Sequence, residues 1–110
     1  MTKFSLAELE KRIALRAKAS ADVSYTRALL DRGVAECAKK LGEEAIETGL
    51  AAVGESRKRV ASEAADLIYH LLVVLKARGV SLKQVEALLA RRTMQSGHAE
   101  KASRSKRRGK

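Results

Sequence analysis

Apolar residues recur at helical intervals along most of the chain, and the breaks in that pattern fall at residues that start or stop helices. Leu6, Leu9 and Ile13 follow Ser5, and Glu8 stands three residues after that serine, the spacing of a capping box. A first helix is predicted from about Ser5 to Ala19. Asp22 or Ser24 can cap a short second helix, Tyr25 to Asp31, and Gly33 permits a break after it. A third helix is predicted from about Val34 to Val53, with Gly54 closing it. Its apolar sector is Val34, Cys37, Ala38, Leu41, Ala45 and Ala52. The fourth, about Arg57 to Arg78, differs in kind: positions 64–75 read Ala-Ala-Asp-Leu-Ile-Tyr-His-Leu-Leu-Val-Val-Leu and leave almost no solvent face, which marks a central, buried helix. Gly79 ends it. Ser81, followed by Leu82, Val85, Leu88 and Leu89, starts a fifth helix that ends near Arg92.

Composition agrees with five helices and nothing else. The chain has no proline, aromatic residues make up only 3 % of it, and good helix formers dominate, so the expected fold is all-α, a bundle of about five helices. Its 110 residues suit one domain, expected over residues 1–104 and followed by a basic tail, 105–110. A chain this short buries only about 60 to 65 % of its unfolded surface, so association between subunits is an effective way to cover more apolar area, and an oligomer is expected. Cys37 is the single cysteine, which excludes an intramolecular disulfide and a cysteine-rich zinc site and fits a reducing cytoplasm. The longest apolar run, Leu71 to Leu75, is far too short to span a bilayer, and Met1 to Ala21 lacks the apolar core of a signal segment.

The net charge of +10 suggests a nucleic-acid partner until it is divided along the chain. Residues 91–110 hold eight Lys or Arg and a single acid, so seven of the ten net charges sit there. A run such as Ser103 to Lys110 reads as a solvated tail, expected to bind nucleic acid only weakly and without sequence preference. A helical nucleic-acid-binding protein is the alternative from a different class, but few aromatics are available to stack on bases and such a protein has no use for converging acids.

Those acids are the informative feature. At roughly 100° per residue, Glu43, Glu47 and Glu44 fall at about 0°, 40° and 100° on the third helix, a repulsive arrangement without cations. Lys40, one turn earlier, can neutralise Glu43 and Glu44 through ordinary pairs. On the fourth helix Glu63 and Asp66 lead directly into the apolar stretch, where a carboxylate needs either a basic partner or a metal. Two helices joined by a short turn can bring Glu43-Glu44-x-x-Glu47 and Glu63-x-x-Asp66 to one point between them, an oxygen-rich environment of the kind magnesium prefers. His70, one turn beyond Asp66, reads as a hydrogen-bonded core or supporting residue, because a di-iron bundle needs Glu-x-x-His pairs on two helices.

This double motif resembles the signature of the all-α nucleoside triphosphate pyrophosphohydrolases, the MazG-like superfamily. Within it the residues most resemble the phosphoribosyl-ATP pyrophosphohydrolase family of histidine biosynthesis. Four segments carry the resemblance: Ser24-Tyr-Thr-Arg-Ala-Leu-Leu-Asp-Arg-Gly33, Lys39-Lys-Leu-Gly-Glu-Glu-Ala-Ile-Glu-Thr48, Ala61-Ser-Glu-Ala-Ala-Asp-Leu-Ile-Tyr-His70 and Glu100-Lys-Ala-Ser-Arg104. Together they span residues 24–104. The resemblance implies that Glu44, Glu47, Glu63 and Asp66 hold magnesium, that Glu43 supports them or positions a water, and that the chain dimerises. It further implies a reaction in which phosphoribosyl-ATP gives phosphoribosyl-AMP and pyrophosphate, with magnesium neutralising the triphosphate and a carboxylate, Glu43, Glu44 or Glu47, accepting the proton of the attacking water. Lys40, Arg91, Arg92, Lys101 and Arg104 are the candidate contacts for substrate phosphates. A housecleaning pyrophosphohydrolase acting on free non-standard triphosphates shares the same metal motif and differs only in substrate.

Overall fold

The computed structural model describes residues 3–94, all of whose regular structure is helical: α1 (Leu6–Arg16), α2 (Tyr25–Asp31), α3 (Val34–Gly54), α4 (Arg57–Ala77) and α5 (Leu82–Thr93). The expected all-α class and five helices are therefore met. The chain divides into two compact units, Met1–Val80 with α1 to α4, and Ser81–Lys110, whose described part is α5.

Serine caps recur through the fold. Ser5, Ser24, Ser56 and Ser81 each accept a hydrogen bond from the backbone N–H three residues on, satisfying one of the donors a helix start leaves unpaired. Ser5 completes only half of the predicted box, because Glu8 turns instead towards Arg12, 3.7 Å away. Ser81 and Gln84 complete theirs in both directions. Of the two caps considered for α2, Ser24 is the one used. Helix α1 stops at Arg16, short of the predicted Ala19, for a reason that lies in α2: the Ser24 hydroxyl donates to the Arg16 carbonyl at 2.9 Å, and Arg27 Nη1 donates to the Ala17 carbonyl at 2.9 Å. Side chains from the next helix thus satisfy the carbonyls that a further turn would have used. Gly33 takes φ +97° at the α2–α3 junction, a conformation L side chains rarely adopt. At the end of α4, Gly79 (φ +69°) closes a Schellman motif, with Val80 N–H on the Leu75 carbonyl at 2.9 Å and Gly79 N–H on the Lys76 carbonyl at 3.2 Å.

Helices α3 and α4, 21 residues and about 31 Å each, form an antiparallel hairpin across the two-residue turn Glu55–Ser56. Helix α4 packs on α1, α2 and α3, as its central place in the sequence pattern leads one to expect. Its surface is not covered all round, since Leu71 is 39 % exposed. The buried apolar residues of this unit are Ile13, Leu29, Cys37, Ala51, Leu72 and Val73, accompanied by the polar Ser24, Thr26, Glu63 and His70. Thr26 and Tyr69 share a short hydrogen bond that ties α2 to α4. The Cys37 thiol donates to the Leu29 carbonyl at 3.5 Å.

The inward stripe of α3 differs from the apolar sector expected for it. Cys37, Leu41, Glu44, Thr48 and Ala51 face the hairpin partner or are at least half-buried, whereas Val34, Ala38, Ala45 and Ala52 are exposed. The inward stripe includes the polar Glu44 and Thr48, which an apolar sector omits, and α3 is also apolar on its opposite side. Ile46, Leu50 and Val53, on the side away from Cys37, are 66 %, 61 % and 89 % exposed, and hydropathy alone does not say which side meets α4. Among the described residues, no helix is long and apolar enough to cross a membrane.

Candidate metal centre

The α3–α4 hairpin brings acids from both helices to one place. Glu44 from α3 and Glu63 and Asp66 from α4 each offer a carboxylate oxygen, and the three oxygens lie within 4.8 Å of one another. Thr48 sets this spacing. Its hydroxyl lies 2.7 Å from the Glu44 carbonyl and 3.1 Å from the Glu63 carbonyl, so one side chain fastens the two backbones at the level of two of the acids. The small, β-branched threonine permits that close approach, and the i,i+4 relation to Glu44 places it on the same face of α3.

Three carboxylates this close repel unless cations neutralise them. Part of that neutralisation is internal: Arg59 Nη2 is 2.8 Å from Glu63 Oε1 and Arg59 Nε is 3.0 Å from Glu55 Oε1, four residues to either side, Glu55 lying in the turn before α4. The Glu55 carboxylate above all, with Glu63 after it, raises the already high proton affinity of Arg59, so this cation is permanently charged. One guanidinium still leaves three acids under-neutralised. The donors are hard oxygens, with no thiolate or imidazole among them, and Glu63 is only 8 % exposed while Asp66 is open to solvent. Such a set suits magnesium, which binds through a few carboxylates and keeps positions for water and phosphate oxygens.

Glu47 is exposed on α3, about 60° round the helix from Glu44, and is not among the three converging acids. Glu43 is also exposed and is held by Lys40, whose Nζ lies 3.5 Å from Glu43 Oε1. In α5, Arg91 is exposed and Arg92 half-buried, its Nε without a hydrogen-bond partner among the described residues. Lys101 and Arg104, with the basic stretch 105–110, lie outside the described residues. His70 is buried as expected, yet its Nδ1 has no hydrogen-bond partner among the described residues. Its ring packs edge-on against Tyr69 and Tyr25, with centroids 5.1 Å and 6.2 Å away.

A family model for phosphoribosyl-ATP pyrophosphohydrolase matches residues 6–93, most of the chain. The chain belongs to the phosphoribosyl-ATP pyrophosphohydrolase family. Curated relatives agree. The phosphoribosyl-ATP pyrophosphatase of Azorhizobium caulinodans is 62 % identical over 102 residues, covering 93 % of this chain and 94 % of its own length. Phosphoribosyl-ATP pyrophosphatase 1 of Bradyrhizobium diazoefficiens is 54 % identical over 104 residues, 94 % and 98 % of the two chains. The phosphoribosyl-ATP pyrophosphatase of Rhizobium meliloti is 54 % identical over 104 residues, 94 % and 97 % of the two chains. The family resemblance drawn from residues 24–104 is thus borne out, and the match to this pyrophosphohydrolase family begins earlier, at Leu6.

Three participants escaped the sequence reading. Arg59 was legible in principle, because Glu55, Arg59 and Glu63 follow one another at four-residue intervals on one helical face. Thr48 and the Thr26–Tyr69 link were not, since their partners lie 15 and 43 residues away in sequence.

Proposed function

We propose that the protein hydrolyses phosphoribosyl-ATP to phosphoribosyl-AMP and pyrophosphate, an early step of histidine biosynthesis, with magnesium as cofactor. The observation that carries this reading is the convergence of Glu44, Glu63 and Asp66 in a chain of this family. Magnesium, when bound, would neutralise triphosphate oxygens and lower the pKa of a water; hydrolysis adds water across the bridge between the α- and β-phosphates and releases pyrophosphate. In this reading Glu44, Glu63 and Asp66 hold the ion, joined by Glu47 from the next turn of α3. Glu43 accepts the proton of the attacking water, and Lys40 orients that carboxylate and offers a cation to the phosphates. Arg91, Arg92, Lys101 and Arg104 are further candidates for phosphate contacts. Thr48 keeps α3 and α4 at a fixed separation, so the acids are positioned before substrate arrives.

The same proposal includes a homodimer, in the cytoplasm, with one catalytic domain over residues 1–104 and a tail that touches nucleic acid only non-specifically. The exposed Ile46, Leu50 and Val53 support dimerisation. They form one side of α3, flanked by Gly42 and Gly49, where the space around each glycine is open enough for a second helix to approach closely.

The test is turnover. Purified protein with magnesium is expected to release pyrophosphate from phosphoribosyl-ATP, to stop when the ion is chelated, and to act poorly on a panel of free nucleoside triphosphates. Equal or better kcat/KM on the free triphosphates would replace the proposed substrate with the housecleaning class.

A further inference from the structure

The first unit holds a cleft of about 490 Å³ whose walls include Arg16, Val23, Ser24, Tyr25, Thr26 and Tyr69. Its volume falls in the range of small-molecule sites. The two tyrosine rings lie 6.4 Å apart, centroid to centroid, and 27° from parallel, and Tyr25 is 56 % exposed. Val23 adds apolar surface that is 81 % exposed. The polar capacity of the walls is small and specific. The Ser24 proton goes to the Arg16 carbonyl, and Ser24 Oγ already accepts from Arg27 N–H at 3.1 Å. Thr26 and Tyr69 bond to each other, which leaves one hydroxyl proton between them for a ligand. Arg16 is the one charged side chain in the lining among the described residues.

A sugar or a bare phosphate needs many donors and acceptors, which these walls do not supply. A flat π-system needs aromatic and apolar faces, a single donor for a ring nitrogen, and a planar cation that stacks or meets charge at its edge. Position along α4 gives the link to chemistry: Tyr69 follows Asp66 by three residues, about 4.5 Å along the axis on an adjoining face. A nucleotide whose phosphates sit at Glu44, Glu63 and Asp66 has its base one turn further towards the aromatic end of the helix.

We infer that this cleft is the subsite for the purine base of the substrate, with Tyr25 its exposed stacking face; the inference rests on the nucleotide hydrolysis proposed above. Tyr25 and Tyr69 are the chain's two tyrosines and it has no tryptophan, so tyrosine emission reports on this cleft. The experiment titrates the metal-free full-length protein with adenosine, AMP and ribose 5-phosphate, following tyrosine emission, and separately measures kcat and KM for phosphoribosyl-ATP with magnesium. Adenosine and AMP are expected to change the emission and ribose 5-phosphate to leave it unaltered. Tyr25→Leu is expected to abolish the adenosine response and to raise KM about tenfold or more, with a smaller effect on kcat. Tyr25→Phe, which keeps the ring, is expected to retain a KM near that of the natural protein. Because Tyr25 is half in solvent, its truncation leaves the fold intact, which the helical circular dichroism signal checks. A response to ribose 5-phosphate without one to adenosine would make the cleft an anion site and overturn the inference. So would an active enzyme whose KM ignores Tyr25→Leu. A protein that binds adenosine through Tyr25 but leaves phosphoribosyl-ATP intact would overturn the proposed reaction and leave the base subsite standing.

Discussion

Replacing Glu63 by glutamine separates a metal ligand from a scaffold ion pair, because the two roles have opposite signatures. The side chain is almost buried, and its one ion-pair partner among the described residues is Arg59 at 2.8 Å, whose own side chain is 52 % exposed and keeps Glu55 at 3.0 Å. Amidation therefore strands no cation. The attraction lost to a half-solvated guanidinium is modest, and it is offset by relief of the repulsion among Glu44, Glu63 and Asp66. Without metal, Tm is expected to move by no more than a few degrees, roughly what a surface-type pair is worth in a unit of this size. With magnesium the difference is large. An ion at about 100 times its Kd stabilises the natural protein by about 2.7 kcal/mol, on the order of 10 °C or more. If losing one ligand weakens binding about 100-fold, the same magnesium gives about 0.4 kcal/mol, a shift of only 2 to 3 °C. The assay is thermal melting by circular dichroism with and without magnesium, with pyrophosphate release measured in parallel. If Glu63→Gln melts more than about 10 °C early without metal, yet keeps the full magnesium shift and turnover, the pair with Arg59 is structural and the metal reading of this hairpin fails.

Other outcomes follow from the same geometry. Asp66→Asn is expected to lower turnover by more than about 100-fold, whereas Glu47→Gln, outside the three converging acids, should lower it by about 10- to 100-fold; equal activity of either variant with the natural protein would remove that residue from the site. Ile46→Glu combined with Leu50→Glu should convert a dimer to monomer in light scattering at micromolar concentration, and a natural protein that is already monomeric and fully active would end the dimer proposal. Burial foremost raises the Cys37 thiol above its ordinary value of 9.0, so its contribution to stability is complete below the unfolded pKa and is lost as pH rises through the native one. The stability difference between the natural protein and Cys37→Ala should therefore shrink in alkaline melts, and a pH-independent difference would contradict this.

Helix positions were legible because the signals that set them are local. Ser24 precedes α2 and Gly33 precedes α3 just as their cap and break chemistry requires, and α3 and α4 end within one residue of the expected points. Where a boundary depends on another element, the sequence is silent. Arg16 ends α1 because Ser24 and Arg27 reach back from α2, a contact no periodicity encodes. The same limit applies to the acids. Their presence on two consecutive helices is visible in the sequence, and so is a short turn between them, but which rotation of α3 faces α4 is not. An apolar count favoured a sector about 60° away, because the inward stripe includes the polar Glu44 and Thr48, which such a count leaves out. Glu44 is part of that inward stripe and is half-buried.

The hairpin turn at Glu55–Ser56 lies beyond the acids, at the joined end of the pair, and both of its residues are solvent-exposed. Residues inserted there lengthen the hairpin at its tip and leave the register between Glu44 and Glu63 untouched. For the lengthened helices to meet again at a two-residue turn, each gains about one turn of 3.6 residues, about seven in all. The interval between the Glu-Glu-x-x-Glu and Glu-x-x-Asp halves is therefore a matter of chain length rather than of chemistry. A scan for proteins built on this plan should let the interval grow in steps of about seven, holding fixed only the spacing within each half.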